Sequence, residues 1–148
     1  MTQDSRRPSE VFHALVDGVC RVVAGDPSHV TELVALYAER TRVEHPMALD
    51  DTPLLTRDDL RRHFAAGTET TPIADYRAAD IVVHETADPE VIVAEFRYLG
   101  SVGGRSFQVP CVFVMRVRDG EIVESRDYIS PFDRARALGV SDESEPLS

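Results

Sequence analysis

The stretch from Arg105 to Leu138, RSFQVPCVFVMRVRDGEIVESRDYISPFDRARAL, constrains the fold more than any other part of the chain. Two apolar, strand-like runs flank Asp119-Gly120, a pair that favours the tight turn of a β-hairpin because the turn needs positive φ. In the first run Val109, Cys111, Phe113, Met115 and Val117 share one face, and Val112 and Val114 sit on the other. A strand apolar on both faces at its centre is expected inside a sheet, covered on both sides. In the second run the two-residue period puts Val123, Ser125, Asp127 and Ile129 on one face, and Ile122, Glu124, Arg126, Tyr128 and Ser130 on the other. Asp127 is thus an acid between Val123 and Ile129 on its own face, which makes it the first candidate for chemistry.

The rest of the chain supplies what this hairpin must pack against. Ser9 can cap a helix with Phe12, Leu15, Val16, Val19, Cys20 and Val23 in a stripe, ended by Gly25. Asp26 can cap a second helix with Pro27 in its first turn, Val30, Leu33, Val34 and Tyr37 forming its apolar face. A short extended piece, Thr41 to His45, follows and ends at Pro46. Thr56 can then cap a third helix containing Leu60, His63 and Phe64 and stopping near Gly67. Strands are expected at Tyr76–Glu85, Val91–Leu99, Phe107–Arg118 and Glu121–Ile129. Turn signals at Asp88-Pro89, Gly100 to Gly104 and Asp119-Gly120 separate them, so they form an antiparallel meander. Phe132 to Leu138 allows a closing helix before Gly139. Helices followed by long antiparallel strands imply an α+β fold in which a curved antiparallel sheet is wrapped by N-terminal helices into a cone. Residues 1–8 and the acidic tail 139–148 are expected to be disordered, leaving one domain over 9–138.

A length of 148 residues suits one core. The formal charge of −10 argues against a nucleic-acid footprint. The N-terminal MTQDSRRPSE has no apolar run behind its arginines, and no stretch approaches the roughly 20 apolar residues of a membrane span. The cytoplasm is the expected location, with neither nucleic acid nor membrane as a partner. Cys20 and Cys111 fall in apolar faces without a Cys-x-x-Cys pattern and read as buried free thiols. No H-x-H, H-E-x-x-H, G-x-G-x-x-G, Walker or G-x-S-x-G motif occurs. No metal and no cofactor are therefore expected.

The order helix, helix, short strand, helix and four strands ending in DGEIVESRDY resembles the SnoaL-like branch of the nuclear-transport-factor-2-like superfamily. The closing SPFDRARALG is similar to a version found in phenazine-biosynthesis members. The resemblance spans about Ser9 to Leu138 and implies a conical, cystatin-like cavity and a homodimer through the sheet. Its members include limonene epoxide hydrolases, polyketide cyclases, steroid isomerases and plain binding proteins. In the epoxide-hydrolase pattern the aspartate of R-D-Y belongs to the acid–base constellation, and Asp127 matches it. That pattern also has an Arg-x-Asp pair one hairpin earlier, where this chain has Glu95 and Arg97 in reversed order. Tyr and Asn expected on the first short strand are replaced by Val43 and His45.

A carboxylate on a strand lining an apolar hollow loses hydration, which raises its pKa toward neutrality. Asp127 is the candidate proton carrier; the alternative is an ion pair with Arg97, Arg105 or Arg126. His45, at a strand end before Pro46, would titrate near neutrality and could shuttle a proton if it faces the hollow. Glu95 and Arg97 would assist as a pocket ion pair, or lie on the outer face of the sheet. Phe113, Met115, Ile129, Phe64, Tyr37 and His63 are the candidate ligand-binding residues. The chain then reads as a binder of a small hydrophobic, oxygenated metabolite that performs isomerisation, cyclisation or epoxide hydrolysis without a cofactor. The alternative is a non-catalytic binding or assembly protein on the same fold.

Overall fold

The structure, a computed structural model, describes residues 6–67 and 73–137. Expectations for residues 1–5, for Leu138 and for the tail 139–148 lie outside the described residues. Helix α1 (Pro8–Val23) begins one residue before the expected cap. Pro8 takes the first helical position, where its missing N–H costs nothing, and the Glu10 carboxylate accepts the Arg7 backbone N–H at 2.8 Å. Val11, Phe12, Leu15, Val16 and Val22 form its buried stripe. Gly25, at φ 103°, ends it, as the left-handed position after a helix favours glycine. Helix α2 (His29–Val34) starts later than the sequence suggests, because Asp26 accepts from Ser28 N and Oγ in a turn ahead of it.

Tyr37 is not on this helix. It opens strand β1 (Tyr37–Glu44), which pairs in parallel with β6 (Glu121–Ile129), placing Tyr37 opposite Ile122. The i, i+3, i+4, i+7 spacing of Val30, Leu33, Val34 and Tyr37 fits a helix equally well; sheet pairing wins. A short strand not expected from sequence, β2 (Leu54–Thr56), pairs antiparallel with β1. Thr56 then caps α3 (Arg57–Gly67) as expected: its Oγ1 accepts the Asp59 N–H at 3.1 Å, while Asp59 Oδ2 accepts the Leu55 and Thr56 N–H groups. Thr56→Ala should lower stability by about 1 kcal/mol, a fall of ~2–4 °C in Tm by calorimetry. An unchanged Tm would mean that Asp59 alone holds this end.

Strands β3 (Ala74–Glu85), β4 (Val91–Val102), β5 (Arg105–Arg118) and β6 form the expected antiparallel meander, and the six-stranded order is β2-β1-β6-β5-β4-β3. Asp119 and Gly120 both have positive φ, 54° and 79°, as the hairpin turn demands. Helix α4 (Pro131–Ala137) closes the described chain. On one face of the sheet Ile92, Ala94, Phe96 and Tyr98 of β4 and Val109, Cys111, Phe113, Met115 and Val117 of β5 are buried. Phe12 meets Phe96 and Phe113 edge-on, at ring separations of 5.2 and 6.2 Å, and so fixes α1 to this face. The opposite face of β5 is not covered as expected: Val112 is exposed. Both cysteines are free thiols, Cys111 buried and Cys20 partly so.

The parity read for the last strand breaks near its start. Val117 faces Ile122 but Arg116 faces Glu124, so Val123 is an extra residue, a β-bulge. The bulge turns Ile122 to the core beside Ser125 and Asp127, and leaves Val123 only partly buried. The Thr41 hydroxyl, itself buried, donates to the Ile122 carbonyl at 3.0 Å and satisfies it.

Candidate active site

Between the buried face of the sheet and helices α1, α3 and α4 lies a mostly apolar cavity of about 350 Å³. That is the lower end of the range for small-molecule sites. Phe113, Ile129, Phe64, Tyr37 and His63, five of the expected ligand contacts, line it, as do Asp127 and His45. Met115 does not. It lies opposite Ser125 in the sheet, fully buried in the core.

Glu95 and Arg97 are also elsewhere. Their neighbours Ala94, Phe96 and Tyr98 take the helix-covered side of β4, and alternation then sends Glu95 and Arg97 to the outer face. There Glu95 bonds His84 at 2.8 Å, and Arg97 bonds Gln108 at 2.6 Å and lies 3.7 Å from Asp80. The sheet separates both from Asp127. This corrects the expectation that they share its hollow: an apolar set of four outcompetes an ion pair for the dry face.

Asp127 sits on β6 opposite Phe113 and is 7% exposed. Ser125, two residues back on the same face, donates its hydroxyl to Asp127 Oδ1 at 2.5 Å. Burial raises the carboxyl pKa from the ordinary carboxylate range to about 7, against the opposing pull of the Ser125 hydrogen bond. Among the described residues no arginine pairs with it. Beside it is His45, whose Nε2 lies 3.7 Å from Oδ2, beyond hydrogen-bonding distance.

His45 follows the end of β1, facing the cavity with 18% of its side chain exposed. Its pKa does not lie near neutrality as expected. Burial, helped by the nearby His63 and Arg134, lowers it to about 4, so the imidazole is neutral at physiological pH. His63 stands at the solvent-facing rim with its ring centre 5.2 Å from that of His45, and its pKa is also lowered, by burial and then by Arg134. Tyr37 and Tyr98 are buried, with pKa values pushed far above the usual phenol value by desolvation, so both remain neutral donors. Tyr76 stacks on Tyr98 at 4.8 Å and, with Phe107, gives the far end of the cavity an aromatic wall.

The sequence did not point to Arg134, which lines the cavity from α4. Nothing in the pattern PFDRARA distinguishes it from its neighbours. Gly100, expected in the turn after β4, lies within that strand and lets the aromatic wall form: a Cβ there would come within 2.8 Å of the Phe107 ring and 3.2 Å of the Ala74 carbonyl. Among the described residues no cluster of three or more His, Cys, Asp or Glu is arranged to hold a metal, and no helix is long and apolar enough to cross a membrane.

Because the Ser125 hydrogen bond favours the ionised carboxylate, Ser125→Ala should raise the Asp127 midpoint further. A hydrogen bond to a charged group is worth about 1.5 kcal/mol, or on the order of 1 pH unit. Carbon-13 NMR titration of labelled aspartate reads this directly, and a lower or unmoved midpoint would refute the assignment.

A curved six-stranded sheet backed by helices is the fold of solved structures described as nuclear-transport-factor-2-like and as ketosteroid isomerase-like. Within that class the chain belongs to the SnoaL-like domain family, whose pattern matches residues 16–125. It is 37% identical over 65 residues to an uncharacterised PhzA/B-like protein of Pseudomonas aeruginosa, a match covering 43% of this chain and 46% of that protein. The chain thus spans under half the length of this curated relative. A protein of Bacillus subtilis proposed to be an isomerase has a similar structure, with a TM-score of 0.76 at 20% identity, covering 90% of this chain and 94% of that one. An epoxide hydrolase/cyclase-like enzyme, SalBIII, with a role in pyran ring formation in the polyether salinomycin, superposes with a TM-score of 0.60 at 15% identity, covering 84% and 94%.

Proposed function

We propose that the cavity binds a small hydrophobic, oxygenated metabolite and that Asp127 moves a proton on it without a cofactor, in an isomerisation or cyclisation of secondary metabolism. The observation that carries this reading is a buried carboxyl, with a pKa of about 7, opening onto an apolar hollow. Such a group is present in both protonation states at physiological pH and can take a proton from carbon or give one to oxygen. Neutral His45 can donate its ring N–H as a hydrogen bond to a substrate oxygen, and the buried tyrosine hydroxyls supply further donors for a developing enolate. The names of similar structures, drawn from isomerisation, polyketide cyclisation and epoxide hydrolase/cyclase chemistry, agree with this class. Epoxide hydrolysis is the less supported branch, because Glu95 and Arg97 lie across the sheet from Asp127.

We also propose a cytoplasmic homodimer joined through the outer sheet face, where Val82, Val112 and Phe132 are exposed around a groove. The catalytic reading is tested with 2-tetralone, an enolisable bicyclic ketone, in deuterated buffer. The protein should accelerate exchange of its α-protons above the buffer rate, followed by NMR. Binding without acceleration would leave a ligand-binding protein in place of an enzyme.

A further inference from the structure

Arg134 is the feature of the cavity that proton transfer does not use. It lines the hollow from α4, at the end where His45 and His63 approach the surface. Its charge is felt at His45, at His63 on α3, at Tyr76 on β3 and at Cys111 on β5, so it stands over the space enclosed by these elements. It has no carboxylate partner among the described residues. The acid next to it in sequence, Asp133, is held by the Ser130 hydroxyl at 2.6 Å and faces Arg136 at 3.7 Å. Among the described residues the carboxyl lining the cavity, Asp127, makes no ion pair with Arg134; neutral His45 lies 3.7 Å from it. Most surface arginines of this acidic chain are otherwise engaged: Arg57 with Glu121, Arg61 with Asp58, Arg62 with Asp59, and Arg116 and Arg118 with Glu90.

An uncompensated guanidinium beside an apolar hollow recognises a planar oxyanion, because its fork matches a carboxylate in two parallel hydrogen bonds. We infer that the ligand is an aromatic or alicyclic carboxylic acid of one or two rings, its carboxylate held by Arg134 at the mouth and its rings against Tyr76, Phe107 and Phe113. This deepens the reading of the cavity as a ligand site, and it is independent of whether Asp127 moves a proton. A ligand anchored at the mouth has its ring carbons directed inward, past His45 and toward the wall that carries Asp127.

The test compares naphthalene-2-carboxylate with its neutral isostere naphthalene-2-carboxamide by isothermal titration calorimetry, at about pH 6 where Asp127 retains its proton. The carboxylate should bind about threefold to fivefold more tightly, since Arg134 is itself exposed and a screened ion pair is worth up to about 1 kcal/mol. Arg134→Gln should abolish that preference by weakening the carboxylate, whereas Arg136→Gln, which alters the neighbouring arginine paired with Asp133, should preserve it. Equal affinities in the wild type, a preference surviving Arg134→Gln, or no binding of either probe at millimolar concentration would each overturn the inference. Failure of the catalytic reading looks different: the carboxylate preference persists while α-proton exchange stays at the buffer rate.

Discussion

Asp127→Asn is expected to lower the rate of α-proton exchange by about 10²–10⁴-fold, the usual contribution of a positioned general acid or base. The substitution keeps the shape of the side chain and gives Ser125 an amide oxygen in place of the carboxylate oxygen it now bonds at 2.5 Å. The hollow and its aromatic wall are untouched, so affinity for 2-tetralone should stay within roughly twofold, a few tenths of a kcal/mol. This separation is the point of the experiment. A variant that keeps more than about a tenth of the wild-type rate removes Asp127 from the chemistry, because a tenfold loss is only about 1.4 kcal/mol of barrier. Parallel loss of binding and rate would instead make Asp127 a ligand-positioning group. Neutral His45 cannot readily stand in as the base, since burial that lowers its pKa to about 4 also weakens its hold on a proton.

The reason Asp127 was legible in sequence while its surroundings were not is local. A charged residue between apolar neighbours in a strand that leaves a hairpin is visible from alternation alone, and the turn itself announces the register. Two-residue alternation then fails where one residue is inserted. The bulge at Val123 puts Ile122 and Ser125 on one face, and no sequence rule marks it. Strand β4 shows the opposite case: alternation sorts Glu95 and Arg97 from Ala94, Phe96 and Tyr98 correctly, but only the position of α1 decides which set is inside. Tyr37 shows a third limit, a periodicity compatible with helix that yields to a parallel partner 85 residues along the chain at Ile122. Arg134 was invisible for a different reason. A free arginine becomes significant only when the carboxylates around it are seen to be taken, which is a statement about distances and not about order.

The same aspartate should also reveal itself through stability. Its folded pKa of about 7 lies above the ordinary value of 3.8, so between those limits the native state binds more protons than the unfolded chain. Stability contributed by this group therefore falls as pH rises through that window, and above pH 7 the full penalty, on the order of 4 kcal/mol, is present. His45 has the opposite sign: held at about 4 against an ordinary 6.5, it makes stability rise with pH over the interval between. Across the overlap the native pair keeps one proton, and so does the unfolded pair, so the two slopes largely cancel in the wild type. Asp127→Asn removes one of them. Against the wild type it should move by about 4 kcal/mol between pH 4 and pH 8, from about 2 kcal/mol less stable at pH 4, the pH-independent cost of burying the amide, to about 2 kcal/mol more stable at pH 8. In calorimetry that is a Tm about 4–8 °C above the wild type at pH 8 and about 4–8 °C below it at pH 4. An equal Tm difference at both pH values would mean that packing, not ionisation, sets the effect, and a loss at pH 8 would mean that the carboxylate is not held in a dry site.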